Sequence, residues 1–317
     1  MELPLVYHPD YDVVVPEGHP FPMSKFRGVY EHLLTSGLAR LEQFRSPDPV
    51  TRAQIEQVHD ADFVTSYLTG EIGAKEMRRI GFPWNEAIVR RTVRAAGGTL
   101  LTARLAFQHG IAANTAGGTH HAFPDFGSGF CIFNDLAIAI RTLQVEGAIE
   151  KALVVDLDVH QGDGTAVVFE NDPTVFTFSM HGATNFPRIK RRSDLDVALP
   201  DATGDEEYLA ALRGRLPTIL ANFDPDLVLY DAGVDPHHSD RFGKLALSDE
   251  GLEERDRYVI DTCRDLGFPV ACVIGGGYHR DIERLVRRHS ILHRVATERF
   301  RAEHSIDAAT SASSDSP

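Results

Sequence analysis

The sequence has few of the residues that mark secreted or membrane proteins. Its 317 residues include only three cysteines, Cys131, Cys263 and Cys272, and this odd, widely spaced set argues against a disulfide framework. No apolar run approaches the length that spans a bilayer. The start, MELPLVYHPD, lacks the basic region and apolar run of a signal peptide. We therefore expect a protein of the reducing cytoplasm, with no membrane span.

Positive charge is also scarce. The chain has 32 Lys and Arg against 46 Asp and Glu, a formal net charge of −14, which argues against general nucleic acid binding. A local exception is the basic cluster Arg188, Lys190, Arg191 and Arg192. We interpret it as a solvated loop; attraction of an acidic partner near a pocket rim and a nuclear signal are the alternatives.

The remaining composition is that of a globular α/β protein, with 43% hydrophobic and 25% charged residues. Short Val/Ile/Leu runs alternate with helical patterns, which predicts a parallel sheet covered by helices on both faces. The predicted strands are Leu3–Tyr7, Ile111–Asn114, Ala152–Val155, Val175–Met180, Leu227–Asp231 and Pro269–Ile274. The main predicted helices begin near Ser24, Thr51, Asn85, Asn134, Gly164, Asp205, Ser248 and Arg280; the one from Asp205 is expected to run to Ala221. We predict one domain, residues 1–304, and a disordered tail, residues 305–317.

The stretch VVDLDVHQGDG, residues 154–164, follows one of these strands. Asp156, Asp158 and His160 alternate with apolar residues, so their side chains point to one side of an extended backbone. Ligands bind at the carboxyl ends of the strands in an open parallel sheet. Carboxylate and imidazole groups are zinc ligands, and a catalytic zinc has three protein ligands. The stretch therefore predicts a metal site that needs one more ligand.

Further polar groups follow other strands. In DAGVD, Asp235 is the predicted third metal ligand, and Asp231 is expected to orient its neighbours. In IGGGY, Tyr278 follows glycines that let the backbone approach a ligand, and its hydroxyl suits a developing negative charge. The tandem pair His120-His121 is a candidate acid/base pair, and Asp156 and Asp163 of the stretch 154–164 are available to fix each imidazole.

Together these motifs resemble the histone deacetylase family. GGTHHA, GFCIFND, VDLDVHQGDG, FSMH, DAGVD and IGGGY occur in the family's order between about His19 and His293. NFPRIKRRSDLDVALP and LSDEGLEERDR look most like the class IV branch and its relatives outside animals. The resemblance implies a single arginase/deacetylase-like domain with a parallel sheet of about eight strands. The rim aspartate by which class I members grip the substrate backbone is not found.

The resemblance also implies roles for individual residues. The zinc ligands would be Asp158, His160 and Asp235, and a structural K⁺ would be held by Asp156, Asp158, His160, Ser179 and Met180. His121 backed by Asp163 would be the general base and acid, His120 backed by Asp156 its electrostatic partner, and Tyr278 the oxyanion donor. The substrate-binding residues would be Gly129, Phe130, Phe186 and Gly276.

The predicted reaction is metal-assisted hydrolysis of an amide, with Zn²⁺ as the metal and Fe²⁺ as an alternative. The substrate would be an acylated lysine of a protein or peptide, or a small acylated amine such as an acetylpolyamine. Two rival functions remain: an arginase-type ureohydrolase with two bridged metals, and a non-catalytic metal-stabilised scaffold. The oligomeric state is left open.

The acyl chain length is a separate question. The class IV branch is associated with removal of fatty acyl groups, so the resemblance predicts long chains over acetyl. Small residues crowd the motif loops, at positions 116–118, 127–129 and 275–277. One interpretation is that these loops leave an apolar channel beyond the metal. The alternative is that the glycines serve tight turns and close backbone approach, which would leave a pocket sized for acetyl.

Overall fold

A parallel sheet forms the centre of the molecule. The computed structural model describes residues 2–314, and their side chains as far as residue 305. The strands are β1 (Leu5–Val6), β2 (Phe44–Arg45), β3 (Ile111–Asn114), β4 (Ala152–Asp156), β5 (Val175–Gly182), β6 (Leu195–Leu199), β7 (Leu227–Asp231) and β8 (Val270–Val273). They form one eight-stranded sheet in the order β2-β1-β3-β8-β7-β4-β5-β6, and every pairing is parallel. The predicted α/β fold class is confirmed.

Helices connect the strands and cover the sheet. They are α1 (Lys25–Thr35), α2 (Arg52–Ile55), α3 (Ala61–Thr69), α4 (Ala74–Ile80), α5 (Glu86–His109), α6 (Asp135–Val145), α7 (Asp163–Phe169), α8 (Asp205–Arg213), α9 (Leu216–Phe223), α10 (Asp249–Asp265) and α11 (Ile282–Ser314). Two 3₁₀ helices span Pro9–Tyr11 and Leu41–Gln43. Every residue of the central strands β4 and β7 is buried. Because successive side chains of a strand point to opposite faces, both faces of the sheet are covered.

Four of the eight predicted helix starts are confirmed by capping hydrogen bonds. The side chains of Thr51, Asn85, Asn134 and Ser248 each accept a hydrogen bond from the backbone N–H three residues later. Ser24 does not cap its helix. It precedes α1 in a helical conformation, and its side chain makes no capping hydrogen bond.

The helix predicted from Asp205 to Ala221 is wrong in its length, because the structure divides it into α8 and α9. Pro217 lies in the first turn of α9, where its missing N–H costs nothing; inside a continuous helix it would remove a hydrogen bond. Strands β2 and β6 and helices α3 and α4 were not predicted. The two edge strands β2 and β6 contain exposed residues, so they lack the continuous apolar pattern of the central strands.

The glycine pair in the middle of α5 serves close packing. A Cβ atom on Gly97 would lie 1.8 Å from the carbonyl oxygen of Asp48, and one on Gly98 would lie 1.9 Å from the Tyr11 hydroxyl. The pair weakens the intrinsic helix propensity of α5. The long helix nevertheless forms, because the same glycines let a neighbouring loop and Tyr11 pack directly on its backbone.

The order of the strands places the predicted site at one edge. Strands β8, β7, β4 and β5 are neighbours, and Asp156 at the end of β4 lies in register with Asp231 of β7 and Ser179 of β5. The loops that leave these strands therefore start side by side at the carboxyl edge.

The predicted disordered tail overlaps the end of α11, which extends to Ser314, and its last three residues lie outside the described part of the chain. The disorder remains a prediction.

Among the described helices, none has a stretch long and apolar enough to cross a membrane.

Candidate active site

Three side chains converge at the carboxyl edge to form the first cluster. Asp158 and His160 follow β4, Asp235 follows β7, and one ligand atom from each lies within 4.8 Å of the others. His160 Nδ1 is 2.9 Å from Asp158 Oδ1 and 3.1 Å from Asp235 Oδ2. All three residues are buried. The structure thus brings together the three residues that the sequence predicted as metal ligands.

The geometry of this cluster fits a divalent cation. The Asp235 Oδ2 atom is buried and has no hydrogen-bond partner among the described atoms. The other oxygen of Asp235 accepts from the Val159 N–H at 2.9 Å, which aims the free oxygen at the cluster. Two carboxylates and an imidazole are ligands that Zn²⁺ accepts. Its contact with His160 Nδ1 at 3.1 Å is not a hydrogen bond, and a buried carboxylate oxygen without a hydrogen bond is costly, so a cation at this position would stabilise the fold.

The backbone of Gly276 closes one side of the cluster. Its N–H donates to Asp158 Oδ2 at 2.7 Å. A Cβ at this position would lie 2.2 Å from Asp235 Oδ2 and 2.4 Å from Asp158 Oδ2. Only glycine allows this approach. Gly276 therefore contacts Asp158 and Asp235, the predicted metal ligands, and not the open part of the cavity.

Electrostatics of the cluster favour bound positive charge. Burial by itself would lower the pKa of His160, but its contacts with Asp158 and Asp235 raise that pKa to about 10. Burial, together with the charge of Asp158, raises the pKa of Asp235 to about 7. A proton held by His160 and a divalent cation are alternatives: the proton offsets one of the two carboxylate charges, and a divalent cation would offset both.

The second of the tandem histidines is arranged as a proton acceptor. His121 Nδ1 donates to Asp163 Oδ1 at 2.6 Å, which leaves Nε2 as the acceptor. Burial and the neighbouring His120 lower the pKa of His121 to about 4. The imidazole is therefore neutral at pH 7 and can take a proton there.

The first of the tandem histidines has the opposite environment. His120 Nδ1 donates to Asp156 Oδ2 at 2.7 Å. Burial opposes its charge, but Asp156 and Asp158 outweigh burial and raise the pKa of His120 well above its usual value. Asp231 lies behind this pair, 3.9 Å from His120 Nδ1, and its two buried oxygens have no hydrogen-bond partner among the described atoms. His120, Asp156 and Asp231 thus form a second cluster of possible cation ligands.

Tyr278 faces the first cluster from a third loop. Its ring centroid is 6.2 Å from that of His160, and its N–H donates to Asp240 Oδ2 at 2.7 Å. The fully buried Lys25 donates to the Gly275 carbonyl at 2.9 Å and holds the same loop. The loop that carries Tyr278 is therefore held by Asp240 and by Lys25.

A cavity of about 420 Å³ leads to these groups. Its lining includes His121, His160 and Tyr278 at the buried end and Gly129, Phe130 and Phe186 along its walls. Of the predicted substrate-binding residues, Gly276 is the one that does not line it.

At Gly117 and Gly118 the structure agrees with the close-packing interpretation of the motif glycines. Cβ atoms on Gly117 and Gly118 would lie 2.7 Å from Thr99 Oγ1 and 2.6 Å from Asp231 Oδ2. These positions are packed against neighbouring atoms, so the crowding of small residues gives no support to a long acyl channel.

Comparison with known proteins agrees with the motifs. The family model described as the histone deacetylase domain matches residues 19–291. This chain belongs to the histone deacetylase family. Histone deacetylase 2 of Arabidopsis thaliana is 29% identical over 294 residues, covering 89% of this chain and 76% of that protein. The acetoin utilization protein AcuC of Bacillus subtilis is 29% identical over 307 residues, covering 89% of this chain and 79% of its own.

A nearer relative and a solved structure extend the comparison. An uncharacterized protein of Picosynechococcus is 56% identical over 298 residues, covering 94% of this chain and 99% of that protein. The crystal structure of the HDA15 HD domain aligns with a TM-score of 0.79 at 22% identity and covers 94% of this chain and 89% of that chain. At this identity the structure supports the histone deacetylase fold alone.

Several residues that support the site were missed by sequence analysis. Asp135 accepts hydrogen bonds from the backbone N–H groups of Gly118 and Thr119 and thereby fixes the loop before the tandem histidines of this histone deacetylase domain. Lys25 lies on the apolar stripe of α1 with Val29 and Leu33. A charged residue on an apolar helix face was the signal that was available for Lys25.

The predicted K⁺ ligands also lie close together. Asp156 and Ser179 are register partners on β4 and β5, and Asp158 and His160 follow Asp156 directly. Ser179 and Met180 are both buried, and Ser179 Oγ is 3.0 Å from His181 Nδ1. The cation itself remains a prediction.

Proposed function

We propose that this protein is a metal-dependent deacylase that hydrolyses the amide of an acylated lysine in a protein or peptide. The main supporting observation is that the imidazole of His121 lines the same cavity as His160, which belongs to the Asp158–His160–Asp235 cluster. A catalytic acid/base group beside a three-ligand metal cluster is the arrangement that amide hydrolysis requires.

Each residue has a proposed role. Asp158, His160 and Asp235 would hold Zn²⁺, or Fe²⁺ as the alternative, and the metal would polarise the acyl carbonyl and activate water. His121 accepts the proton of the attacking water and returns it to the leaving amine, with Asp163 holding the tautomer. His120, held protonated by Asp156, adds positive charge beside the reaction centre.

Tyr278 stabilises the charge that develops on the acyl oxygen, because its hydroxyl belongs to a ring that lines the cavity beside His160. Phe130 and Phe186 enclose the acyl-lysine stem between aromatic surfaces. The K⁺ site of Asp156, Asp158, His160, Ser179 and Met180 is proposed as structural, and it lies directly behind the metal ligands. Class IV membership and a preference for fatty acyl groups are proposed from the motif resemblance.

An acetylpolyamine or another small acylated amine is the alternative substrate, because the same cavity would accept its acyl group.

We also propose a cytoplasmic location, since Cys131, Cys263 and Cys272 are free and buried, as in proteins of reducing compartments.

The test combines metal content with a turnover screen. The purified protein is assayed for metal per chain and for release of amine from acyl-lysine peptides and acetylpolyamines. We expect one divalent metal per chain and turnover of a peptide, with activity lost in His121→Ala while the metal is retained. Two divalent metals per chain would favour the arginase-type reaction. Metal without any turnover would favour a scaffold.

A further inference from the structure

Four basic side chains line the cavity or lie beside residues that line it; we call them the basic rim. Arg79 and Lys244 line the cavity and are exposed. Lys190 donates from Nζ to the carbonyls of Asn185 at 2.5 Å and Pro187 at 3.0 Å, in the loop that carries Phe186. Arg241 lies 5.4 Å from the ring centroid of Phe242, another lining residue. The proposed catalytic groups lie at the buried end of the cavity. The basic rim therefore lies at its entrance.

The basic rim has no acidic partner in the described part of the chain. None of its four cations lies within 4.0 Å of a carboxylate oxygen. The side chain of Lys244 is held by Thr184 Oγ1 at 2.8 Å, and Arg79 lies over the ring of Phe126. The nearby carboxylate of Asp240 accepts instead from backbone N–H groups, including that of Tyr278.

Three partly exposed arginines elsewhere in the chain do have acidic partners. Arg294 pairs with Glu253 at 2.7 Å, Arg257 with Glu298 at 2.7 Å, and Arg299 with Asp265 at 2.6 Å. The whole sequence carries a formal net charge of −14. Unpaired positive charge gathered at the entrance of an acidic protein produces a local field that attracts anionic groups.

The same entrance offers apolar contacts. Phe186 and Phe242 are 45% and 37% exposed, although both line the cavity. Aromatic rings beside unpaired cations can contact the stem of an acyl-lysine while the cations contact residues on either side of it. A residue of an extended peptide spans about 3.3–3.6 Å, so side chains within two positions of the lysine reach the entrance.

We infer that the basic rim selects acyl-lysines that have aspartate or glutamate within about two residues. This inference rests on the proposed deacylase function and names its substrate class. An acetylpolyamine retains ammonium groups that would lie near the basic rim, and like charges repel there. The basic rim therefore favours the acidic peptide over the small cationic amine.

The test uses one acetyl-lysine peptide with matched flanks. The two residues on each side of the lysine are all Glu, all Gln or all Lys, and a fourth peptide carries its Glu residues at least eight positions away. N-acetylspermidine is the fifth ligand. The readouts are kcat/KM for each ligand and the Kd of fluorescent versions of the peptides. At low salt we expect the flanking-Glu peptide to exceed the Gln peptide by about fivefold to tenfold, and the Lys peptide to be poorest. The difference should shrink at 0.5 M NaCl, because salt screens exposed charges.

Charge-reversal variants locate the effect. The double variant Arg79→Glu/Lys244→Glu should reverse the order of the Glu and Lys peptides in both kcat/KM and Kd. Arg301→Glu, an exposed basic residue of α11 that does not line the cavity, is the control and should keep the original order.

Equal values for the Glu, Gln and Lys peptides would overturn the inference, and so would faster turnover of N-acetylspermidine. The inference also fails if the peptide with distant Glu residues equals the flanking-Glu peptide, since bulk charge would then explain the attraction. If no ligand is turned over, the proposed removal of acetyl groups fails, while the Kd values still decide whether the basic rim recognises acidic flanks.

Discussion

The guanidinium of Arg255 donates to the carbonyl of Gly233 at 2.6 Å, from a side chain that is completely buried. The same Nη1 reaches the carbonyl of Leu157 at 3.3 Å. Gly233 lies two residues before Asp235, and Leu157 directly precedes Asp158. One side chain of α10 therefore connects the two loops that carry the carboxylates of the proposed metal site. Asp256, at 2.8 Å, supplies the negative charge that Arg255 needs in a buried position.

The first prediction is that Arg255→Met weakens both the fold and the metal site. Removal of one partner leaves the Asp256 charge buried without compensation, which costs about 3–5 kcal/mol. Loss of the loop contacts should reduce metal affinity by about 10–100-fold. Urea unfolding measures the first effect and competition with a chelator the second. Arg257→Ala, on the same helix as Arg255, removes partly exposed ion pairs with Glu253 and Glu298 and should change stability by less than about 1 kcal/mol. Equal stability losses in the two variants would contradict the role of Arg255.

The second prediction concerns the metal ligands. Asp235→Ala removes one of three ligands, so the bound metal should fall well below one equivalent and activity should disappear. Asp158→Ala should behave in the same way. Asp62→Ala, at an exposed position of α3, should retain metal and activity. Elemental analysis of the purified variants gives the metal content. A variant of Asp235 that keeps one equivalent of zinc and normal turnover would show that the ligand assignment is wrong.

The third prediction separates catalysis from metal binding. Tyr278→Phe removes a hydroxyl that acts only as charge develops, and loss of one such donor typically lowers kcat by about 10²–10³. Metal content and KM should change little, because the ring still packs in the cavity wall. Tyr30→Phe, where Tyr30 stacks on Tyr7 outside the cavity, is the matched control. Near-normal kcat in Tyr278→Phe would assign the oxyanion role to another group.

The fourth prediction concerns acid stability and His59. Its Nδ1 donates to the Phe123 carbonyl at 2.9 Å, and its Nε2 accepts from the Asn134 N–H at 2.9 Å, so the folded protein requires the neutral ring. Burial lowers the pKa of His59 from 6.5 to about 4. Between pH 6.5 and about pH 4, His59 is therefore protonated in the unfolded chain but neutral in the folded chain. Stability should fall as the pH decreases through this window, by about 3 kcal/mol from this group.

Urea unfolding at several pH values between 7 and 4 measures this loss. The variant His59→Gln should be less stable at pH 7 but should show a shallower decline toward pH 4. His109→Gln, at an exposed position at the end of α5, should keep the slope of the parent protein. If the unfolding free energies of the parent protein and His59→Gln decline in parallel with pH, His59 is not the source of the loss of stability.

The fifth prediction concerns the acyl chain and rests on the class IV resemblance. One lysine peptide carrying acetyl, octanoyl, dodecanoyl or myristoyl groups is compared by kcat/KM. About eight additional buried methylenes would contribute roughly 6 kcal/mol at most, before the cost of ordering the chain. We expect the dodecanoyl peptide to exceed the acetyl peptide. An acetyl value equal to or above it would limit the enzyme to short acyl groups and leave the deacylase proposal intact.

Much of the fold was predictable because local sequence determines local structure. Continuous apolar runs predicted the buried strands β3, β4, β5, β7 and β8, and capping residues such as Asn134 and Ser248 predicted where α6 and α10 begin. The edge strands β2 and β6 were missed, since a half-exposed strand has no such run. The motifs also placed the chemistry at strand ends, where an open parallel sheet binds its ligands.

The sequence by itself determined which side chains are candidates for the chemistry, because the alternation of Asp156, Asp158 and His160 on a strand end is a local property. Only the tertiary structure decided which distant groups support them. Arg255 and Lys25 reach carbonyls 22 and 250 residues away in the chain, and no local pattern specifies such a pairing. The unpaired state of the basic rim was likewise decided by packing, since whether a surface cation finds a carboxylate depends on the loops that fold beside it.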